Sequence, residues 1–167
     1  MIVAGLVSPK WEEGKICQIA SVVSNLEEAV ERYWKDYGYG PWYFWDFEPP
    51  DLHDVYYRGM KVEDSGFRIA LAQIGPMQYE LMQPLYGIGI HREFLDKHGE
   101  GIHHIKIYHK DIAKAIEDYK KKGIYPLQQG KYDDDWHVYL DTERQYGMIW
   151  ELGNQGHIRP HMKQYPA

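Results

Sequence analysis

Apolar and polar positions follow the same programme twice along this chain. Residues 16–23, Ile-Cys-Gln-Ile-Ala-Ser-Val-Val, are apolar and β-branched, bounded by Gly14 and Ser24-Asn25, as suits a buried strand. The period then lengthens. Leu26, Ala29, Val30, Tyr33 and Tyr37 mark one helical face, with Asn25 as N-cap, Glu28 in the capping position and Gly38-Tyr-Gly-Pro41 as the stop. Residues 103–109 read as a second strand, and Asp111 caps a second helix whose apolar face is Ile112, Ala115, Ile116 and Tyr119, ended by Gly123. An offset of 86 positions lays Gln18 on His104, Ile19 on Ile105, Asn25 on Asp111 and Tyr33 on Tyr119. A second matched pair follows each copy, Gln78-Tyr-Glu-Leu81 and Ile149-Trp-Glu-Leu152. Such repetition implies one domain built from two similar halves.

The intervening pattern supplies the remaining elements. Residues 42–47 form an aromatic strand ended by Pro49-Pro50, and 54–60 offer a further strand. Strands are expected at 67–74 and at 77–83, the latter ended by Pro84, with a connecting helix over 90–97. In the second half they are expected at 125–131, 137–141 and 147–153. The organisation is an irregular lead-in (1–14), a first module (15–85), a connecting helix (88–99), a second module (100–152) and a loosely held tail (153–167). Gln18 to Glu80 spans 62 residues and His104 to Glu151 spans 47, so the first half carries 15 more. That excess falls at 42–64 and is expected to form a wall or lid over the site.

Composition narrows the functional classes. A net charge of −6 and a pI near 5.8 argue against non-specific nucleic-acid binding, which needs a basic face. Cys17 is the only cysteine, which leaves neither a disulfide framework nor a thiolate metal cluster. The opening seven residues do not read as a signal peptide, and no apolar run approaches a membrane span. A cytoplasmic protein is the expectation.

Strand alternation selects which polar side chains converge. Ile105 and Ile107 must face the helices, so His104, Lys106 and Tyr108 face the concave side. The same parity turns Gln18, Glu80 and Glu151 inward. One imidazole, one amide oxygen and two carboxylates make a divalent-metal shell in which the carboxylates offset the ion's charge. His103 shares its parity with Ile105 and reads as a packed or hydrogen-bonded core histidine. His91, His137 and the other histidines have no ligand spacing, and Asp133-Asp-Asp135 reads as a loop without the pattern of a calcium site.

With these residues placed, the chain resembles the vicinal oxygen chelate superfamily, the glyoxalase, bleomycin-resistance and dioxygenase proteins, over residues 15–152 as a single domain. The strings Glu80-Leu-Met-Gln-Pro-Leu85, Phe94-Leu-Asp-Lys-His-Gly-Glu-Gly-Ile-His-His-Ile105 and Ile149-Trp-Glu-Leu152 resemble its methylmalonyl-CoA epimerase branch. The resemblance implies an α+β fold in which two βαβββ modules form a cupped, barrel-like mixed sheet with helices outside. It implies one divalent metal ion per site (zinc, nickel, cobalt or manganese), a small-molecule substrate and a homodimer, without nucleic acid or membrane. The implied ligands are Gln18, Glu80, His104 and Glu151, with Glu151 and Glu80 as the catalytic carboxylates. The implied activity is a 1,2-proton transfer through a metal-stabilised enolate on a small carbonyl or acyl-CoA compound. Two positions depart from the epimerases. Gln18 and Glu80 replace a histidine and a glutamine, giving a set similar to that of glyoxalase I, and Ile69 replaces an acid/base glutamate, a role Glu63 or Asp64 would have to assume. The alternatives are a lactoylglutathione lyase-like enzyme and a non-catalytic ligand-binding or resistance protein of the same fold.

Overall fold

The computed structural model describes residues 10–167; the lead-in expected over 1–9 lies outside them. Among the described residues, eleven strands and four helices follow one another as β1 (Ile16–Val22), α1 (Leu26–Tyr37), β2 (Trp42–Phe47), β3 (Leu52–Tyr57), β4 (Met60–Lys61), β5 (Gly66–Ile74), β6 (Met77–Tyr86), α2 (Ile90–His98), β7 (Gly101–Tyr108), α3 (Ile112–Lys120), β8 (Pro126–Tyr132), β9 (Asp135–Leu140), α4 (Glu143–Tyr146), β10 (Ile149–Gly153) and β11 (Lys163–Tyr165). The capping logic is realised at both long helices. Asn25 accepts from the Glu28 amide at 3.3 Å, Asp111 accepts from the Lys114 amide at 2.9 Å, and Gly38 takes the left-handed conformation that closes α1.

All strands join one mixed sheet in the order β11-β2-β5-β6-β1-β7-β10-β9-β8-β3-β4. Its halves are the two βαβββ modules, joined where β1 and β7 run antiparallel with Ile19 opposite Ile105, so the repeat-related residues meet at the seam. Within each half the first and last strands are parallel, Ala20 beside Glu80 and Lys106 beside Glu151. The sheet is strongly curled. Strands β2 and β8 stand seven places apart, roughly 34 Å in a flat sheet, yet the Phe47 and Tyr132 rings stack with centroids 4.0 Å apart. The helices pack outside: Leu26, Ala29 and Val30 of α1 on Ala70, Ala72 and Leu81, and Ile112, Ala115 and Ile116 of α3 on Val138, Leu140 and Leu152. The other face of each strand is thereby committed to the interior of the cup.

Three expectations are corrected, and the extra stretch at 42–64 is located. Pro84 does not end β6, which continues to Tyr86; β1 pairs with β6 only as far as Met82, so the missing proline N–H costs no ladder bond on that side. The extra residues of the first half form the β3–β4 hairpin, which pairs with β8 at the edge of the second module. Asp135 leaves the loop expected at 133–135 and starts β9, buried. The tail is not loose: β11 pairs with β2, the Trp45 indole donates to the Arg159 carbonyl at 3.0 Å, and Arg159 binds Asp133 and Asp51. Among the described residues, no helix is long and apolar enough to cross a membrane.

Candidate active site

The two halves line the cup unequally. From β2 and β5 come Tyr43, Trp45, Phe47, Phe67, Ile69 and Leu71, an apolar wall. Ionisable groups come from the seam and the second module: Glu80 on β6, His104 and Lys106 on β7, Asp135 and His137 on β9, and Glu151 on β10, all buried. Glu80, His104 and Glu151 each offer a ligand atom within 4.8 Å of the others. His104 Nε2 lies 3.0 Å from Glu151 Oε2 and 3.4 Å from Glu80 Oε2. Gln18 is also buried; its Nε2 donates to Gln78 Oε1 at 2.7 Å, which leaves its carbonyl oxygen unpaired.

Lys106 is the member that the sequence did not single out. Its ammonium lies 2.8 Å from Glu151 Oε1, buried. The signal was present, since the lysine shares a face with His104 on a strand otherwise lined by isoleucines. Gly153 makes room for it: a Cβ there would stand 2.5 Å from Lys106 Cε. Burial acts to lower the lysine pKa, but Glu151, Asp135 and Glu80 outweigh it and raise it above the usual value. Burial likewise opposes ionisation of Glu151 and Asp135. Lys106 and His104 hold Glu151 below the ordinary carboxylate range, and Lys106 with His137 holds Asp135 at about 2. For His104, burial disfavours the charged form, and the Glu151 and Glu80 carboxylates prevail to raise its pKa.

These contacts are close but poorly directed. Both oxygens of Glu151 and Nε2 of His104 lack a partner of hydrogen-bonding geometry, despite lying at ion-pair distance from one another or from Lys106. Together with the unpaired Gln18 oxygen, they form a set of lone pairs that do not satisfy one another. The charge count agrees. Among the described residues, three buried carboxylates (Glu80, Asp135, Glu151) against one ammonium (Lys106) leave two negative charges when His104 is neutral. One divalent cation offsets that. The donor set therefore fits a divalent metal.

The β1–β7 pairing shifts register at two places, at Cys17 and at His103, and the second bears on the site. Ala20 pairs with His104, but Ser21 pairs with Ile102, so His103 is the extra residue of a bulge. The bulge carries its ring to His104, Nδ1 to Nδ1 at 2.9 Å, rather than to the helix-packed face shared by Ile105. His91, set aside in the sequence for want of spacing, packs there from α2, its ring centroid 4.9 Å from that of His103. Ile69 is buried in the apolar wall, whereas Glu63 and Asp64 are exposed and outside the cup. The inner cavity is bounded by Phe47, Phe67, Glu80, Lys106, Tyr139 and Glu151, and shares Phe67 and His137 with a cleft beside α2.

The fold is a curled sheet of paired βαβββ modules with a carboxylate–histidine cup at the seam. The model of the Glyoxalase/Bleomycin resistance protein/Dioxygenase superfamily matches residues 17–140, and the chain belongs to that superfamily. A curated relative is mouse (Mus musculus) mitochondrial methylmalonyl-CoA epimerase, 26% identical over 121 residues, which are 72% of this chain and 60% of the relative's length. Among solved structures, a methylmalonyl-CoA epimerase in complex with methylmalonyl-CoA and NH4+ is similar at TM-score 0.64 and 22% identity, covering 89% of this chain and 99% of that one. Methylmalonyl-CoA epimerase from Mycobacterium tuberculosis is similar at TM-score 0.63 and 19% identity, covering 91% and 93%.

Proposed function

We propose that this protein is a metal-dependent isomerase or lyase that moves a proton between adjacent carbons of a small carbonyl or acyl-CoA compound. The observation that carries the reading is the buried, mutually unsatisfied set of Glu80, His104 and Glu151, with the free Gln18 carbonyl beside them. These four would hold one divalent ion, whose contribution when bound is to stabilise negative charge developing on a substrate oxygen. The chain's own residues handle the proton. Glu151, kept ionised by Lys106 and His104, is the base that takes it from the α-carbon. Glu80, on the other side of the seam, is the second carboxylate that returns it. With Ile69 in the apolar wall, β5 supplies no acid at that position, so a Glu80/Glu151 pair is the scheme this chain's residues allow. The aromatic wall keeps water from the carbanionic centre. A homodimer is part of this reading.

The similarity to methylmalonyl-CoA epimerases makes methylmalonyl-CoA the first substrate to try. The Glu-rich ligand set makes glutathione hemithioacetals the second. With the metal-loaded protein in deuterated buffer, deuterium should enter the α-position, and Glu151→Gln should slow entry at least a hundredfold, in line with loss of a general base. Undiminished exchange in Glu151→Gln would remove that residue as the base. One observation favours a second reading, a ligand-binding protein without catalysis: Lys106 already pairs with Glu151 and could occupy the cup without a metal. Metal content separates the two.

A further inference from the structure

We propose that His103 is a positioning residue that holds the His104 imidazole in the tautomer whose Nε2 lone pair is free for a metal in the cup. The inference rests on reading the cup as a cation site.

The two nitrogens of His104 face different neighbours. Nε2 is directed to the Glu80 and Glu151 carboxylates, and Nδ1 lies 2.9 Å from Nδ1 of His103. A nitrogen–nitrogen contact of that length holds one hydrogen, donated by one ring to the lone pair of the other. A cation in the cup needs the Nε2 lone pair of His104, which puts the hydrogen on Nδ1, and His103 Nδ1 is then its acceptor. The partner of a metal-ligating histidine is more often a carboxylate or a backbone carbonyl. Here it is a second imidazole, which brings no charge beside a group of three carboxylates.

The geometry of that acceptor is built into the fold. The bulge in β7 lets consecutive residues turn their rings inward, where plain alternation would send them to opposite faces. The rings stand at 88° to one another, and His103 is wedged among Phe94 at 5.0 Å, His91 at 4.9 Å and Tyr139 at 6.3 Å between centroids. Its exposure is 2%, so little freedom remains to turn away. His91, His103 and His104 also bring ligand atoms within 4.8 Å of one another, which raises the rival of a second metal site. Three neutral imidazoles carry no negative charge to offset a dication in this apolar packing, and the hydrogen-bond role is therefore favoured.

The test uses the full chain, with zinc as the probe. In zinc-loaded, 15N-histidine-labelled protein, His104 should show a protonated Nδ1 with a through-hydrogen-bond coupling to Nδ1 of His103; this needs no variant. Zinc affinity by chelator competition should fall at least tenfold in His103→Leu. It should recover to within threefold of wild type in His103→Asn, whose side-chain oxygen can accept the same hydrogen. Absence of the coupling, or equal zinc affinity in wild type and a folded His103→Leu, would overturn the positioning role and leave the cup intact. Two zinc ions per chain, falling to one in His91→Ala, would overturn it in favour of a second metal site. A wild-type protein that takes up no zinc would remove the cup itself, and the positioning role with it.

Discussion

At Lys106 the molecule keeps an ammonium with 2% of its surface exposed, between carboxylates on β9 and β10. A buried charge is tolerated only with partners, and removing one partner leaves the other uncompensated at a cost of about 3–5 kcal/mol. That coupling makes Asp135 a pH-sensitive member of the core. Burial alone would raise its pKa, but Lys106 and His137 depress it to about 2, below the ordinary 3.8. A carboxylate depressed on folding contributes stability that is fully present above pH 4 and is lost as pH falls through 2. Its size from that shift is about 2 kcal/mol. Chemical denaturation followed between pH 6 and pH 2 should therefore show an acid-limb slope in wild type that is visibly shallower in Asp135→Asn. Parallel limbs would mean that Lys106 and His137 do not hold the Asp135 carboxyl below its ordinary value.

Among the elements, those with one helix-packed face were legible from their own residues. In β6, Leu81 packs on α1 while Glu80 and Met82 face the cup, and in β10, Leu152 packs on α3 while Glu151 faces it. What the sequence concealed lies in pairing partners. The bulge at His103 is a property of how β7 sits against Ser21, and nothing in the string Gly-Ile-His-His-Ile marks which residue is extra. Pro84 stays in β6 because its neighbour β1 has already ended. The tail looked unconstrained because its partners, Phe44, Trp45 and Asp133, are far away in sequence. Its docking has a direct consequence: the Met162 amide, which donates to the Phe44 carbonyl at 2.9 Å, should be protected from hydrogen exchange in the native protein. Trp45→Phe, which deletes the donor to the Arg159 carbonyl, should weaken that protection and cost about 1 kcal/mol of stability. An unprotected Met162 amide in wild type would contradict the docked tail.

For the whole molecule, the repeat explains both what is symmetric and what is not. Glu80 and Glu151 occupy matching places beside Ala20 and Lys106, and Gln18 matches His104. The seam thus presents two carboxylates related by the internal twofold, while the lysine appears on one side only. The apolar wall of the first module and the ionisable floor of the second then divide the cup into a dry side and a charged side. The β3–β4 hairpin extends the first module across to the far edge of the second, which helps to draw the sheet closed over the charged floor. The central claim is that this floor carries two negative charges in excess and holds a divalent ion. Elemental analysis of the purified, unchelated protein beside a Glu80→Ala/Glu151→Ala variant tests it most directly. About one equivalent of metal per chain, as expected for a single site of this donor number, and lost in the variant, is the predicted result. Metal absent from both proteins even after loading would contradict the account and leave Lys106 as the cation that offsets Glu151 in the cup.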